Sequence, residues 1–104
     1  MFFKAQFWDG RSPHLADQAQ GPVQAGPEMA APPSMVEQRI NSIPEYVNEF
    51  QVAYGKDVKV DFEKITATIA TFEKTLVTPS KFDDYLNGNE KALNTEKKKG
   101  LTLF

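Results

Sequence analysis

The side chains best suited to chemistry are concentrated between Phe7 and Met29, FWDGRSPHLADQAQGPVQAGPEM. This stretch holds the chain's one Trp (Trp8) and its one His (His14), together with Arg11, Gln18 and Glu28. A carboxylate such as Glu28 can take up and return a proton, and an amide such as Gln18 can orient a small polar molecule by donating and accepting hydrogen bonds. His14 could ligate a metal or carry a proton. Trp8 reads first as an aromatic anchor. By spacing alone, Gln18 is a solvent-facing amide on a helix, Glu28 a loop carboxylate and His14 a helix-surface residue. Arg11 has Asp9 and Asp17 within reach, and an exposed ion pair of that kind contributes little.

Composition narrows the chemistry. The chain has no cysteine, which excludes disulfides, thiolate metal sites and the C-x-x-C-H run that attaches a c-type haem. With 104 residues, 40% hydrophobic and 25% charged, it has the composition of one small soluble domain. A net charge of -2 gives no reason to expect a nucleic-acid partner. No apolar run approaches a membrane span, and Met1-Phe2-Phe3-Lys4 is too short and polar to open a signal peptide.

The pattern of apolar residues and breakers predicts an all-α fold of five or six short helices with one long Gly/Pro-rich loop. Phe2, Phe3, Phe7 and Trp8 form an aromatic cluster that packs against the helices, with Phe3, Phe7 and Trp8 as its partly exposed face. Ser12-Pro13 predicts the cap and first position of a helix over about 13–20 that stops at Gly21-Pro22. Residues 21–33, with two Gly and four Pro, form the loop. Ser34 and Glu37 suggest a capping box opening a helix to about Asn41. Pro44 starts another, with Tyr46, Val47, Phe50 and Tyr54 on one face and Gly55 as its stop. Val58 and Val60 lie in an extended connector. Asp61 caps the strongest helix, about 62–76, whose stripe of Phe62, Ile65, Ile69, Phe72 and Leu76 reads as core rather than a cofactor box. Ser80 caps a short helix closed by Gly88, and a last helix starts near Asn94. Lys97-Lys98-Lys99 is a solvated face.

The runs Phe7-Trp8-Asp9-Gly10-Arg11, Asp17-Gln18-Ala19, Gly21-Pro22 and Glu28-Met29, followed in order by ATFEKTLVTPSKFDDYLNGNEKAL (70–93) and EKKKGLTLF (96–104), resemble the bacterial di-haem cytochrome c peroxidases. The resemblance covers nearly the whole chain. It implies a single partial domain, 1–104, in two parts. Residues 1–33 would be the peroxidatic-site segment with its long loop, and 34–104 a helical segment leading towards the second haem motif. It implies a slice of about a third of a family member, lying between two C-x-x-C-H runs, and therefore inactive alone. In the parent, Gln18 and Glu28 would flank the open face of the peroxidatic haem, Glu28 as acid–base group and Gln18 as orienting amide. Trp8 would sit between the haems and help electrons cross. Phe7, Pro22 and Met29 would line the haem pocket. No metal ligand is expected in this chain, because the family's distal histidine lies upstream of the match and His14 does not inherit its role. The parent would carry two haems c and work in the periplasm. It would take electrons from a small cytochrome c or cupredoxin, with a homodimer as its assembly.

Two other readings share these residues. A maturation-type di-haem oxidase has the same Phe7–Arg11 region with a different acid–base set, and Gln18 with Glu28 favours the peroxidase. A haem-free helical interaction module or remnant would instead use the haem-facing surface for docking.

Overall fold

The structure, a computed structural model, describes residues 4–104. Six helices follow one another: α1 Leu15–Gln24, α2 Pro33–Asn41, α3 Pro44–Tyr54, α4 Phe62–Glu73, α5 Lys81–Leu86 and α6 Thr95–Leu103. Among the described residues no strand forms, and extended chain pairs in a lone antiparallel bridge between Gln6 and Ser12. The expected all-α architecture is present. Phe2 and Phe3 lie outside the described residues.

Most helix ends follow the sequence signals. The Asp61 side chain accepts from Lys64 N at 2.9 Å, and its second oxygen pairs with Lys64 Nζ at 2.7 Å. Ser80 and Asp83 form a reciprocal capping box on α5. The Asn94 side chain caps α6. Gly55 stops α3 at φ 101°, a backbone conformation that a Cβ disfavours.

Three boundaries differ from expectation, each for a local reason. Ser12 does not cap α1, because it is spent on the Gln6 bridge and its hydroxyl donates to His14 O at 3.1 Å, which leaves it 1% exposed. His14 caps instead, its Nδ1 accepting from Asp17 N at 3.1 Å. Helix α1 also runs through Gly21-Pro22 to Gln24. Pro22 cannot donate to the Gln18 carbonyl, but the chain beyond folds back onto the helix end: Met29 N donates to Pro22 O (3.3 Å) and Ala31 N to Val23 O (2.9 Å). The Gly/Pro-rich connection therefore shrinks to residues 25–32. Finally, Ser34 and Glu37 form no capping box. Helix α2 begins at Pro33 without a side-chain cap, and Glu37 Oε1 accepts from Phe62 N at 2.8 Å, so it caps α4 across the fold.

Helix α4 is the hub. Its Ile65 joins Phe50 and Val60 in a buried cluster, with Val36, Ile40, Val58 and Ile69 packed around it. A second row on α4, Phe62, Thr66 and Ala70, is buried beside α1, whose own buried residues are Ala19 and Val23. The α1–α4 pair is the most extensive helix contact of the chain. Small side chains let the two backbones approach, and the buried Thr66 hydroxyl is satisfied by Glu63 O at 3.1 Å.

The 62–76 stripe is only half core, which corrects the expectation that Phe72 is inaccessible. Helix α4 ends at Glu73, and Phe72 and Leu76 are 62% and 65% exposed. Phe72 lies in phase with Ile65 and Ile69 and Leu76 follows beyond the helix end, and both stand outside the cluster built around Ile65. Helices α5 and α6 make no comparable contact with α1–α4; they touch each other where Lys98 Nζ sits 5.4 Å above the Tyr85 ring. The molecule is accordingly long, 56 × 31 × 19 Å. Its radius of gyration is 19.5 Å, against about 13 Å for a compact chain of this size.

The contrast within one stripe is testable. Ile65→Ala should cost roughly 2–5 kcal/mol in this chain, whereas Phe72→Ala should stay within about 0.5 kcal/mol. Urea titrations of the two variants check it, and equal losses would show that α4 is covered along its whole length. A second test concerns charge. Asp61 and Asp83 are held below the ordinary carboxylate value of 3.8, Asp61 chiefly by the Lys64 side chain and Asp83 chiefly by the Ser80 hydroxyl. A folded pKa below the unfolded one stabilises fully above the unfolded value, and that stability is lost as pH falls through the folded value. The stability gap between the wild-type chain and Asp61→Ala should therefore shrink as pH drops from about 6 to about 2.

Candidate functional site

The Phe7–Arg11 run is a tight loop closed at its base by the Gln6–Ser12 bridge, with Gln6 N donating to Ser12 O at 2.7 Å. Gly10 turns the chain at φ 69°, and Phe7 also has positive φ, 64°. A bulky residue in that region is strained. Arg11 holds it there: its guanidinium lies 3.6 Å from the Phe7 ring centroid, and Nη1 reaches both Asp9 carboxylate oxygens at 2.9 and 3.0 Å. The same arginine keeps the Asp9 carboxyl below its usual 3.8, first through the side-chain bond and then through its backbone amide. On its other side, the Phe7 ring fits against α1 at Gly21, where an added Cβ would stand 3.2 Å from Phe7 Cζ. Phe7 is thus clamped and, as expected, partly exposed; Phe3 lies outside the described residues. Trp8, at the tip, is fully exposed.

Beside this loop opens a cavity of about 890 Å³. Its walls are mainly apolar: Phe7 and Trp8 from the loop, Leu15 from α1, and Leu76 and Val77 from the chain after α4. Gln18 enters from α1 and Glu73 from α4. The antiparallel packing of these two helices, with small residues between them, brings both polar side chains to the same wall. Gln18 is half-buried, and Glu73 Oε2 is buried with no hydrogen-bond partner among the described residues.

Of the six residues singled out from sequence, the structure brings Phe7, Trp8 and Gln18 together at this cavity. Glu28 is exposed in the turn after α1, with its amide donating to Ala25 O at 3.0 Å. It is not part of the cavity wall, and six helical residues, roughly 9 Å of axis, separate Gln18 from the end of α1. Pro22 is half-buried in α1, and Met29 lines a separate cleft of about 270 Å³ with Met35, Val36 and Ile40. His14 is the α1 cap. The sequence reading missed Glu73, Leu76 and Val77. The signal for Glu73 was its position, spaced 4, 4 and 3 after Phe62, Thr66 and Ala70 on the α1-facing row. Small and polar residues on that row hid it from a search for apolar periodicity.

Residues 1–91 match the family model described as di-haem cytochrome c peroxidase. The chain belongs to the di-haem cytochrome c peroxidase family. It is similar to the cytochrome c551 peroxidase of Pseudomonas aeruginosa, 50% identical over all of this chain and 31% of that protein. It is similar to that of Nitrosomonas europaea, 46% identical over 96% of this chain and 30% of the relative. It also resembles the methylamine utilization protein MauG of Methylorubrum extorquens, at 36% identity over 93% of the chain and 28% of the relative. The chain thus spans about a third of the length of these curated relatives.

A di-haem family implies haem c, and the residues present fit one wall of a haem site. The cavity has room for a large flat group, its lining is apolar, and Gln18 and Glu73 can hydrogen-bond into it. They supply no attachment and no ligand set: the chain has no cysteine, and among the described residues no group of three His, Asp or Glu could hold a metal.

The loop's geometry predicts the behaviour of its single fluorophore. Arg11→Gln should release Phe7 from its strained backbone and let the loop move. Time-resolved anisotropy of Trp8 should then decay faster, with emission remaining that of a water-exposed indole. Unchanged anisotropy would mean that the Arg11 clamp does not hold the loop.

Proposed function

We propose that this chain is the peroxidatic-site segment of a periplasmic di-haem cytochrome c peroxidase. The parent protein would reduce hydrogen peroxide to two waters, taking two electrons from a small cytochrome c or cupredoxin and two protons from solvent. The observation that carries this reading is the meeting of Trp8 and Gln18 at one apolar cavity large enough for a flat cofactor. Membership of the peroxidase family and similarity to proteins named cytochrome c551 peroxidase support it.

Haem c, when bound, supplies the iron and the electrons for cleaving the O–O bond. This chain's residues prepare that step. Gln18 orients the peroxide by hydrogen bonding from α1. Glu28 would take a proton from the bound peroxide and return it to the departing oxygen. In this chain Glu28 lies outside the cavity wall, so its role requires the turn after α1 to face the haem in the assembled parent. Trp8, exposed at the cavity rim, would help electrons cross towards the site. Phe7 would exclude water from a haem in the cavity; Pro22 and Met29 lie off its wall, so a pocket-lining role for them, as for Glu28, requires the turn after α1 to face the haem in the parent, and a homodimer is the proposed assembly. The maturation-type oxidase is the second reading, favoured by the 36% identity to MauG; the Gln18 and Glu28 pair favours the peroxidase.

Glu28→Gln in the haem-loaded parent removes the ionisable group while keeping its size. Peroxidase turnover should fall by about 10²–10⁴-fold. Gln18→Ala should be milder, since a neutral hydrogen bond contributes only about 0.5–1.5 kcal/mol. Both variants should load haem normally, as judged by their Soret spectra. Wild-type turnover in Glu28→Gln would remove Glu28 from the mechanism.

A further inference from the structure

Glu73 has no place in the mechanism above, yet it is the least expected side chain in the cavity wall. It ends the row of α4 that packs on α1, and its Oε2 is buried without a partner among the described residues. A buried acceptor left unpaired costs about 1–3 kcal/mol, and a cofactor that fills the cavity removes the water that could relieve it. Donors on the same wall are few. Trp8 and Thr78 are exposed, and Gln6 enters from the loop rather than from a helix packed against α4. Gln18 is half-buried on the helix packed directly against α4, and its amide makes no hydrogen bond among the described residues.

We propose that Glu73 is the positioning residue for Gln18: in the filled cavity its Oε2 accepts a hydrogen bond from Gln18 Nε2, which turns Gln18 Oε1 towards the bound molecule. A primary amide carries a donor at one end and an acceptor at the other, and its rotation decides which it shows. Oε2 acting as an acceptor selects the Nε2 end and leaves the carbonyl for the site. Gln18 then accepts a hydrogen bond from peroxide O–H rather than donating to it. The inference rests on the reading of Gln18 as the orienting amide, and it deepens that reading by fixing the direction of its hydrogen bond.

Fluoride tests it, because an anion on the iron is stabilised by a donor and disfavoured by an acceptor. The measurement is fluoride affinity of the haem-loaded parent, by optical titration in the oxidation state in which the peroxidatic iron takes up added anions. With Glu73 in place, Gln18 shows fluoride its carbonyl. Glu73→Leu removes the acceptor and frees the amide to turn its NH₂ inward, and fluoride should bind roughly two- to tenfold more tightly; Glu73→Gln keeps an acceptor oxygen and should tighten it less. In a Gln18→Leu background the same Glu73 changes should leave fluoride affinity unaltered, since the effect passes through the amide. An equal tightening with Gln18→Leu present would show that Glu73 acts directly through its charge, and no tightening in either background would show that it does not hold Gln18; either result overturns the proposal. Glu73→Ala, which also lacks an acceptor, carries the test if Glu73→Leu loads haem poorly. Peroxide turnover, measured alongside, reports separately on the peroxidase reading: a parent that does not reduce peroxide defeats that reading, while the Glu73–Gln18 coupling is decided by the fluoride affinities.

Discussion

The contact between α1 and α4 is the constraint on which the rest of the site depends. Ala19 and Val23 meet the row Phe62, Thr66 and Ala70, and the small residues among them set how near the two backbones can come. Core packing tolerates little added volume, so this spacing is well determined. At one end of the contact the rows run out into the cavity, where Leu15 follows in register on α1 with Gln18 beside the row, and Glu73 follows on α4. Their meeting follows from helix packing rather than from any attraction between them.

The Phe7–Arg11 loop is fixed to the same frame by a different device. Gly21 on α1 leaves space for the Phe7 ring, and Arg11 covers the ring while gripping Asp9. An exposed ion pair alone contributes little. Here the guanidinium also stacks on an aromatic ring whose backbone is strained, so three groups constrain one another. The result is a rigid base beneath a fully exposed Trp8. Strain held by surrounding structure is a feature of functional sites, and in this chain it occurs beside the cavity.

Exposed apolar residues show where the chain's own packing ends. Phe72 and Leu76 continue the core stripe of α4 outside the cluster built around Ile65, and Leu103 and Phe104 close α6 in the open. The chain spans about a third of its relatives' length, and with α5 and α6 not packed on α1–α4 its radius of gyration is well above that of a compact domain.

Local chemistry was legible from the amino-acid sequence because it acts over a few residues. Asp61, Ser80 and Asn94 begin helices through bonds to amides three positions on, and Gly55 ends one because its φ is positive. The all-α class and the phase of the Ile65–Ile69 stripe come from the same short range. Trp8 and Gln18 were also singled out, from a resemblance carried by their neighbours. Tertiary structure decided what depends on distant partners. It drew Ser12 into a bridge and passed the cap to His14, carried α1 through Pro22, and turned Glu37 from its own helix to the first amide of α4. It divided one apolar stripe into a buried half and an exposed half, because burial depends on what lies opposite. It also brought Glu73 to the wall that holds Gln18, though 55 positions separate them in the chain. No periodicity reveals that meeting, because the row leading to Glu73 is small and polar, and only the close packing of two helices gives it a partner.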